Sequence, residues 1–273
     1  MAIFVSNLVI GLEEGLDKPE WLLKMAEPFG SEVGIEFFIH TRSELYLERL
    51  KQVKCWIGDL PLALHGPFLS VEASSCPGTE EYTNFVNAYK KAFEIASDLK
   101  CEYMVFHDHE CYVEVSQKAM LQRQCISNMK MLMEKAENAG IKLLLENLAL
   151  PSKGEPIFNE EEYIGLADFF PNAEFLIDVG HLNVSGWNME RVISSLAKRI
   201  KGYHLHNNDG EHDSHNRLGD GTADYNHFFE LYREYTPDAD ITLEYGDNHG
   251  ITISDVHEDI KSVMKYIKDK KER

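Results

Sequence analysis

Cysteine, basic residues and long apolar runs are all scarce in this chain of 273 residues. The cysteines are odd in number and contain no CxxC pair, so we expect reduced thiols in a cytoplasmic protein rather than a disulfide framework. No apolar run approaches the length of a membrane span. The five cysteines are Cys55, Cys76, Cys101, Cys111 and Cys125.

Positive charge is in deficit, with 27 Lys and Arg against 46 Asp and Glu and a formal net charge of -19. Nucleic acid binding draws much of its affinity from cations that displace counterions along the phosphates. Nucleic acid is therefore a disfavoured partner, although a local basic groove stays open as an alternative.

Linkers rich in Pro, Gly or Ser, low-complexity tracts and residue-level repeats are also missing, which predicts one domain over residues 1–273. The opening MAIFVSNLVIG has no basic n-region, and Ser6 and Asn7 interrupt its apolar stretch. We interpret it as a first strand rather than a signal peptide.

Short apolar runs alternate with stretches of helical periodicity eight times, which predicts a closed (β/α)₈ barrel of the α/β class. The predicted strands are 3–10, 33–39, 60–65, 103–107, 142–146, 174–178, 202–206 and 240–244. The predicted helices are 18–28, 42–56, 79–99, 115–139, 159–169, 188–199, 223–235 and 254–270, with Thr41, Asn159 and Ser254 as N-caps and Gly140 after the fourth.

The strands from the third to the eighth all end in a residue type that binds metals. Because parallel strands of a barrel end at one face, these side chains are expected to ring its mouth within reach of one divalent cation or a small cluster. Mixed carboxylate and imidazole ligation suits Mn²⁺, Zn²⁺, Co²⁺ or Fe²⁺ better than Ca²⁺. The residues are His65, His107, Glu146, Asp178, His206 and Glu244.

Further polar residues follow these strands in the long loops 147–158 and 207–222, and a third long loop spans 66–78. His181 stands three residues after Asp178, and Asp213 and His215 form a DxH pair that could chelate a metal or grip substrate hydroxyls or a phosphate. A lone histidine at a strand end is more often a packed core residue, so His65 and His107 carry weight only as part of the set.

Six segments together resemble the xylose-isomerase-like TIM barrel superfamily, which holds sugar phosphate isomerases and epimerases alongside endonuclease IV type enzymes. They are LHGPF (64–68), LLLEN (143–147), LIDVGHL (176–182), HLHNND (204–209), DSHNRLGDG (213–221) and ITLEYG (241–246). Each motif is weak alone, but they occur in the family's order over nearly the whole chain.

The resemblance to the sugar isomerases implies a metal held by Glu146, Asp178, His206 and Glu244, with His181 on substrate oxygens. His206 is preferred to His204 because the family histidine stands three residues before an acidic position, here Asp209. The expected metal is one ion of Mn²⁺, Zn²⁺ or Co²⁺, with up to three as the alternative. Candidate substrate-binding residues are Phe68, Trp187 and Arg217.

The endonuclease branch uses a wider set of ligands for three zinc ions, and this chain matches that set too. The first two groups would be His65, His107 and Glu146, and then Asp178, His206 and Glu244. The third group would be His181, Asp213 and His215.

We therefore predict a metal-dependent isomerase or epimerase that acts on a small sugar, sugar phosphate or polyol ketone through an enediolate, with Glu146, Glu244 and His181 as catalytic residues. The alternatives are phosphodiester hydrolysis at abasic DNA, dehydration by an inositol-type lyase, and binding without turnover. The sequence leaves open a homo-oligomer.

Overall fold

Eight parallel strands pair in chain order and close into a barrel, since β1 pairs with both β2 and β8. Ile3, for example, lies opposite Val33 on one side and Ile241 on the other. The predicted (β/α)₈ architecture is confirmed. The strands are β1 (Ile3–Ser6), β2 (Val33–Phe38), β3 (Leu62–His65), β4 (Met104–Phe106), β5 (Leu143–Glu146), β6 (Glu174–Asp178), β7 (Ile200–Leu205) and β8 (Asp240–Leu243).

The computed structural model describes residues 1–11, 16, 19–108, 113–149 and 156–268. Within these ranges the α-helices are α1 (Pro19–Ala26), α2 (Glu44–Lys51), α3 (Lys54–Ile57), α4 (Glu80–Leu99), α5 (Val115–Asn138), α6 (Glu160–Phe169), α7 (Val179–Ser185), α8 (Met189–Leu196), α9 (Tyr225–Tyr235) and α10 (Ile253–Lys268). Among the described helices, none is long and apolar enough to cross a membrane.

The helices differ from the predicted ones in three places. The segment predicted as one helix over 42–56 forms α2 and α3, and α8 gives way to a 3₁₀ turn over Ala197–Arg199. Helix α7 was not predicted at all. It is short, it begins directly after β6, and it contains Gly180, so it lacks the periodicity that marks the longer helices.

Two of the predicted N-caps are wrong by two residues. Ser43 rather than Thr41 caps α2, because its hydroxyl accepts from the backbone N–H of Tyr46. Thr252 rather than Ser254 precedes α10, where it exchanges hydrogen bonds with Asp255.

Two other helix-end signals are confirmed. Asn159 forms a reciprocal capping box with Glu162 at the start of α6. Gly140 follows α5 in the left-handed region, with φ of 69°.

Side chains alternate between the barrel interior and the helix layer along each strand. Leu144 and Leu176 belong to a small interior cluster with Phe4, Ala63, Tyr103 and Val105, whereas Leu143, Leu145 and Ile177 pack in the large cluster beneath the helices. Two residues beyond Leu144 and Leu176, at the ends of β5 and β6, stand Glu146 and Asp178. The interior face of each strand therefore leads from an apolar layer to a polar mouth.

The cysteines are free at Cys55, Cys76, Cys101 and Cys125, of which Cys125 is buried. Cys111 lies outside the described residues. The thiols of Cys101 and Cys125 are held protonated, because burial raises the pKa of Cys101 to about 12 and that of Cys125 well above its usual value.

Candidate metal centre

The six predicted ligands do meet at the mouth of the barrel. His65, Glu146 and Asp178 are the last residues of their strands, while His107, His206 and Glu244 each follow a strand by one residue. All of them except His107 are buried. Together with His181 on α7, His204 on β7, and Asp213 and His215 in the loop after β7, they form three groups of potential metal-ligating atoms. The atoms of each group lie within 4.8 Å of one another, and the groups are His65, His107 and Glu146; Glu146, Asp178, His204 and Glu244; and His181, His206, Asp213 and His215.

The first group presents two imidazole nitrogens to one carboxylate. His65 Nδ1 lies 3.0 Å from the carbonyl oxygen of Gly66, to which it donates, so Nε2 carries the lone pair. His107 Nε2 lies 3.0 Å from His65 Nε2 and 2.6 Å from Glu146 Oε2. A Cβ at Gly66 would overlap the carbonyl oxygen of Val105 on β4, which explains a glycine directly after His65.

The second group gathers three carboxylates around one imidazole. His204 Nδ1 lies 2.9 Å from Glu146 Oε1, 3.4 Å from Glu244 Oε1 and 3.8 Å from Asp178 Oδ2. Asp178 is also the N-cap of α7, where Oδ1 accepts from the backbone N–H of His181 at 2.6 Å. Its other oxygen, Oδ2, is buried without a hydrogen-bond partner.

His206 lies beside this group and joins it to the third. Its Nε2 is 3.1 Å from Asp178 Oδ1 and 3.6 Å from Asp213 Oδ1, yet neither ring nitrogen makes a hydrogen bond of acceptable geometry, although the ring is fully buried. A Cβ at Gly180 would overlap the His206 ring, so the glycine of the DVGH motif makes room for it.

The third group is centred on Asp213. His181 donates from Nδ1 to the carbonyl oxygen of Asn147 at 2.8 Å, and His215 donates from Nδ1 to that of Glu244 at 3.0 Å. Both therefore turn Nε2 towards Asp213 Oδ2, at 3.1 and 3.3 Å. His215 adopts a positive φ of 49°, a conformation that costs a non-glycine residue free energy and that the surrounding contacts must hold in place.

Burial and neighbouring charges shift the pKa values of Glu244 and Glu146 in opposite directions. Burial raises the pKa of Glu244 to about 7, and the charges of Glu146 and Asp178 add to that rise. Burial alone would raise the pKa of Glu146 as well, but His107 and His204 beside it hold that pKa well below its usual value. The two glutamates of the site thus have opposite shifts.

The donor set fits a divalent cation. His65, His181 and His215 each donate a hydrogen bond from Nδ1 to a backbone carbonyl, which directs Nε2 into the site. Hydrogen bonds of this kind orient imidazole ligands in metal sites. Buried polar atoms without a hydrogen-bond partner are rare in folded proteins, yet Asp178 Oδ2 and both ring nitrogens of His206 have none. A cation would satisfy Asp178 Oδ2 and one ring nitrogen of His206, and it would offset the repulsion among the carboxylates.

A cavity of about 460 Å³ opens above the three groups. The polar residues that line it are His65, His107, Asp108, His181, Asp213, His215 and Glu244. The other lining residues are largely apolar and are Leu8, Phe38, Phe68, Leu148, Ala149, Pro156, Ile157, Phe158, Tyr163 and Trp187. Phe68 and Trp187 thus line the cavity, and their role in substrate binding stays a prediction.

Arg217 lies elsewhere. Its half-buried guanidinium forms ion pairs with two aspartates of α10, with Nη1 2.5 Å from Asp255 Oδ1 and Nε 3.0 Å from Asp259 Oδ2. It is absent from the lining of the cavity, and no Lys or Arg stands among the described lining residues.

Sequence reasoning missed several residues that shape the site. Asn147 joins β5 to β6 through two hydrogen bonds with the backbone of Asp178, at 2.9 and 3.1 Å. Its place directly after Glu146 in LLLEN was the available signal. Phe38, which stacks on His65 with ring centroids 4.0 Å apart, gave no signal, since an aromatic residue at a strand end is ordinary.

The family profile of the xylose isomerase-like TIM barrel matches residues 31–270. Two uncharacterised proteins of Methanocaldococcus jannaschii, MJ1614 and MJ1311, are 23% identical over 170 residues and 25% identical over 194 residues. These matches cover 62% and 68% of this chain. The chain spans only 65% and 64% of the lengths of those relatives.

Solved structures show the same fold over nearly the whole chain. A D-tagatose 3-epimerase-like protein superposes with a TM-score of 0.77 at 21% identity, covering 98% of this chain and 97% of its own. The IOLI protein with a bound zinc atom gives 0.76 at 16%, covering 98% of each chain. A family 2 AP endonuclease from Brucella melitensis gives 0.74 at 15%, covering 96% of this chain and 99% of its own.

These likenesses establish the fold, while the profile extends over all but the first 30 and last three residues of the chain. The order of motifs along the chain and the polar residues at the mouth of the barrel agree with the match to this profile. The chain belongs to the xylose isomerase-like TIM barrel family.

Proposed function

We propose that this protein is a divalent-metal-dependent isomerase or epimerase of a small sugar or related polyol ketone. The observation that carries the proposal is the cavity of about 460 Å³, which is lined by potential metal-ligating groups together with apolar side chains. Such a concave site with a few convergent polar groups suits a small molecule. The D-tagatose 3-epimerase-like protein among the structural relatives supports the same function.

The residues divide the chemistry between them. A divalent ion held by Glu146, Asp178, His206 and Glu244 would supply Lewis acidity that makes the hydrogen next to the substrate carbonyl more acidic. Glu244 lines the cavity, and in the proposed reaction it accepts that proton. His181 also lines the cavity, and its Nε2 can bind a substrate hydroxyl next to Asp213.

Glu146 is the proposed partner of Glu244 in proton transfer. The two carboxylates come from β5 and from the end of β8, and their oxygens share one group of ligating atoms. Glutamates on different sides of a bound substrate can remove a proton from one face and return one to the other. That division would give epimerisation or isomerisation through an enediolate.

Proton exchange from solvent tests the proposal directly. The full chain, loaded in turn with Mn²⁺, Co²⁺ or Zn²⁺, is incubated with ketohexoses, ketopentoses and their phosphates in D₂O and followed by NMR. We expect deuterium at the carbon next to the carbonyl together with an epimer or isomer. A loaded protein that binds none of these sugars and exchanges no proton would overturn the proposal, and loss of water from the substrate would place the protein among the lyases.

Phosphodiester hydrolysis remains the second candidate, because the ligating atoms form three groups rather than one. Two-metal sites stabilise both the attacking and the leaving oxygen of a phosphodiester. Against this stands the net charge of -19 and the lack of a Lys or Arg among the described lining residues. Metal-dependent incision of an abasic-site duplex at low salt would reverse our ranking.

A further inference from the structure

We infer that Glu36 and His204 form a buried pair that positions Glu146 and does not itself ligate metal. The inference rests on the metal centre of the proposed function but not on the identity of the substrate. Both residues are fully buried beneath the mouth of the barrel, on β2 and β7. We call them the Glu36–His204 pair.

Both ring nitrogens of His204 are engaged. Nε2 lies 2.9 Å from Glu36 Oε1, and Nδ1 lies 2.9 Å from Glu146 Oε1. Both nitrogens therefore face carboxylate oxygens at hydrogen-bonding distance, and neither is left over for a cation in this arrangement. His65, His181 and His215 differ from His204, because each donates from Nδ1 to a backbone carbonyl and directs Nε2 into the site.

Glu36 is itself fixed from below. Its Oε2 accepts from Thr242 Oγ1 at 3.0 Å and from the Tyr103 hydroxyl at 3.2 Å, while Oε1 accepts from His204. These partners come from β8, from the residue before β4, and from β7, so the carboxylate joins distant parts of the barrel wall. A side chain held at both oxygens cannot rotate without breaking buried hydrogen bonds, each of which costs free energy to lose.

The pair thereby fixes the direction of Glu146. With Oε1 held by His204, Oε2 points to the other side, where it lies 2.6 Å from His107 Nε2 and 3.5 Å from His65 Nε2. Glu146 is the residue common to the first and second groups of ligating atoms. Its orientation therefore sets the geometry of both groups.

The same geometry separates the two histidines of the HLH segment. His204 is near three carboxylates and would pass for a ligand by distance alone. His206, two residues on, has ring nitrogens without hydrogen-bond partners and is the one free to ligate. Side chains two residues apart share a face of a strand, so His204 and His206 both point into the barrel. His204 lies beneath the mouth, and His206 lies at the mouth, directly after β7.

Cobalt binding tests the pair without reference to turnover. The full-length metal-free protein is titrated with Co²⁺ alone, and the visible absorption bands report both the affinity and the ligand geometry. We expect Glu36→Gln to weaken Co²⁺ binding by about 10–100-fold, as substitutions behind metal ligands commonly do, and to alter the absorption bands. Glu36→Asp, which restores the charge at shorter reach, should recover part of the affinity.

Tyr103→Phe is the matched control. It removes one hydrogen bond to the same Glu36 carboxylate from an equally buried position, but it leaves the contact with His204 intact. We expect its thermal stability to fall while Co²⁺ affinity and spectrum stay close to those of the wild type. Equal losses of affinity in Tyr103→Phe and Glu36→Gln, or an unchanged spectrum in Glu36→Gln, would overturn the inference.

A second variant guards against a misfolded Glu36→Gln protein. His204→Asn keeps a donor group but cannot span from Glu36 to Glu146, so it should produce the same spectral change as Glu36→Gln. A wild-type spectrum and affinity in His204→Asn would also overturn the inference. If instead the wild type binds Co²⁺ normally but exchanges no sugar proton, the proposed function fails and the pair stands.

Discussion

His65 Nε2 and His107 Nε2 lie 3.0 Å apart, and Glu146 Oε2 is within 3.5 Å of both. Because His65 donates from Nδ1 to Gly66, its Nε2 offers a lone pair, so a proton or a cation must lie between the two rings. With the single ion of the proposed function we expect the proton there, and a cation there only in the three-ion alternative. This relationship makes the first group testable apart from the rest of the site.

His65→Asn tests whether the first group holds an ion of its own. We expect the ratio of metal to protein, measured by mass spectrometry after dialysis, to stay at the wild-type value, and a fall by about one ion per chain would favour the three-ion arrangement of the second candidate function. His257→Asn is the control, since that histidine contacts the backbone of Lys24 on α1, far from the mouth. An unchanged ratio in His65→Asn would mean that the first group holds no ion.

The two glutamates should matter for turnover more than for folding. A general acid or base contributes about 10²–10⁴-fold to rate, so Glu146→Gln and Glu244→Gln should each lower kcat on the identified sugar by at least the lower figure. Both variants must be assayed at saturating metal, with metal content measured in parallel. Near-normal kcat in both, with metal bound, would remove them from proton transfer.

In the metal-free protein, the free energy of unfolding should depend on pH through Glu244. Its pKa in the folded protein is about 7 against an ordinary 4.5, so the folded state holds this proton more tightly than the unfolded state does. The resulting stability is complete below about pH 4.5 and is lost as pH rises through about 7. The shift corresponds to about 3 kcal/mol.

Glu244→Gln should remove that loss, because the amide never ionises. In the presence of a chelator, we expect the variant to have a higher Tm than the wild type at pH 8, and the difference to shrink towards zero near pH 5. Thermal unfolding at several pH values measures it. A difference that does not vary with pH would contradict the assignment.

Gly180 should be intolerant of any side chain. A Cβ at this position would overlap the His206 ring, which cannot move away because it is fully buried and stacks on His215 with centroids 3.9 Å apart. We expect Gly180→Ala to lower both Tm and metal content. Gly165→Ala on α6 is the matched control, since its Cβ would meet no atom within 4 Å and should raise stability by about 0.5–1 kcal/mol.

The barrel could be predicted because its strands are short apolar runs with strong local character, and the ligands because they sit at the ends of those runs. Helix α7 could not, since Asp178 serves both as a strand end and as an N-cap and the helix has only seven residues. The end of β7 also fell one residue short of the predicted His206, at Leu205.

The role of His204 could not be predicted from the sequence, for a different reason. It depends on Glu36, which is 168 residues away in the chain, and on Glu146, which is 58 residues away. The HLH motif shows that two histidines share one face of the strand, but only the closed barrel shows which of them meets a carboxylate on either side. Strand alternation is enough to place Glu36 on the inward face of β2, but it does not identify the partners of that carboxylate.

The ligating set extends from His65 to Glu244, and its members come from or follow six successive strands. A nascent chain that ends before β5 would hold His65 and His107 but none of the carboxylates of the first two groups. The N-terminal half of the barrel could therefore not hold the ion, and the four proposed ligands are complete only when Glu244, which follows β8, is in place. Metal uptake should be a late event in the maturation of the protein, one that reports closure of the ring rather than guiding it.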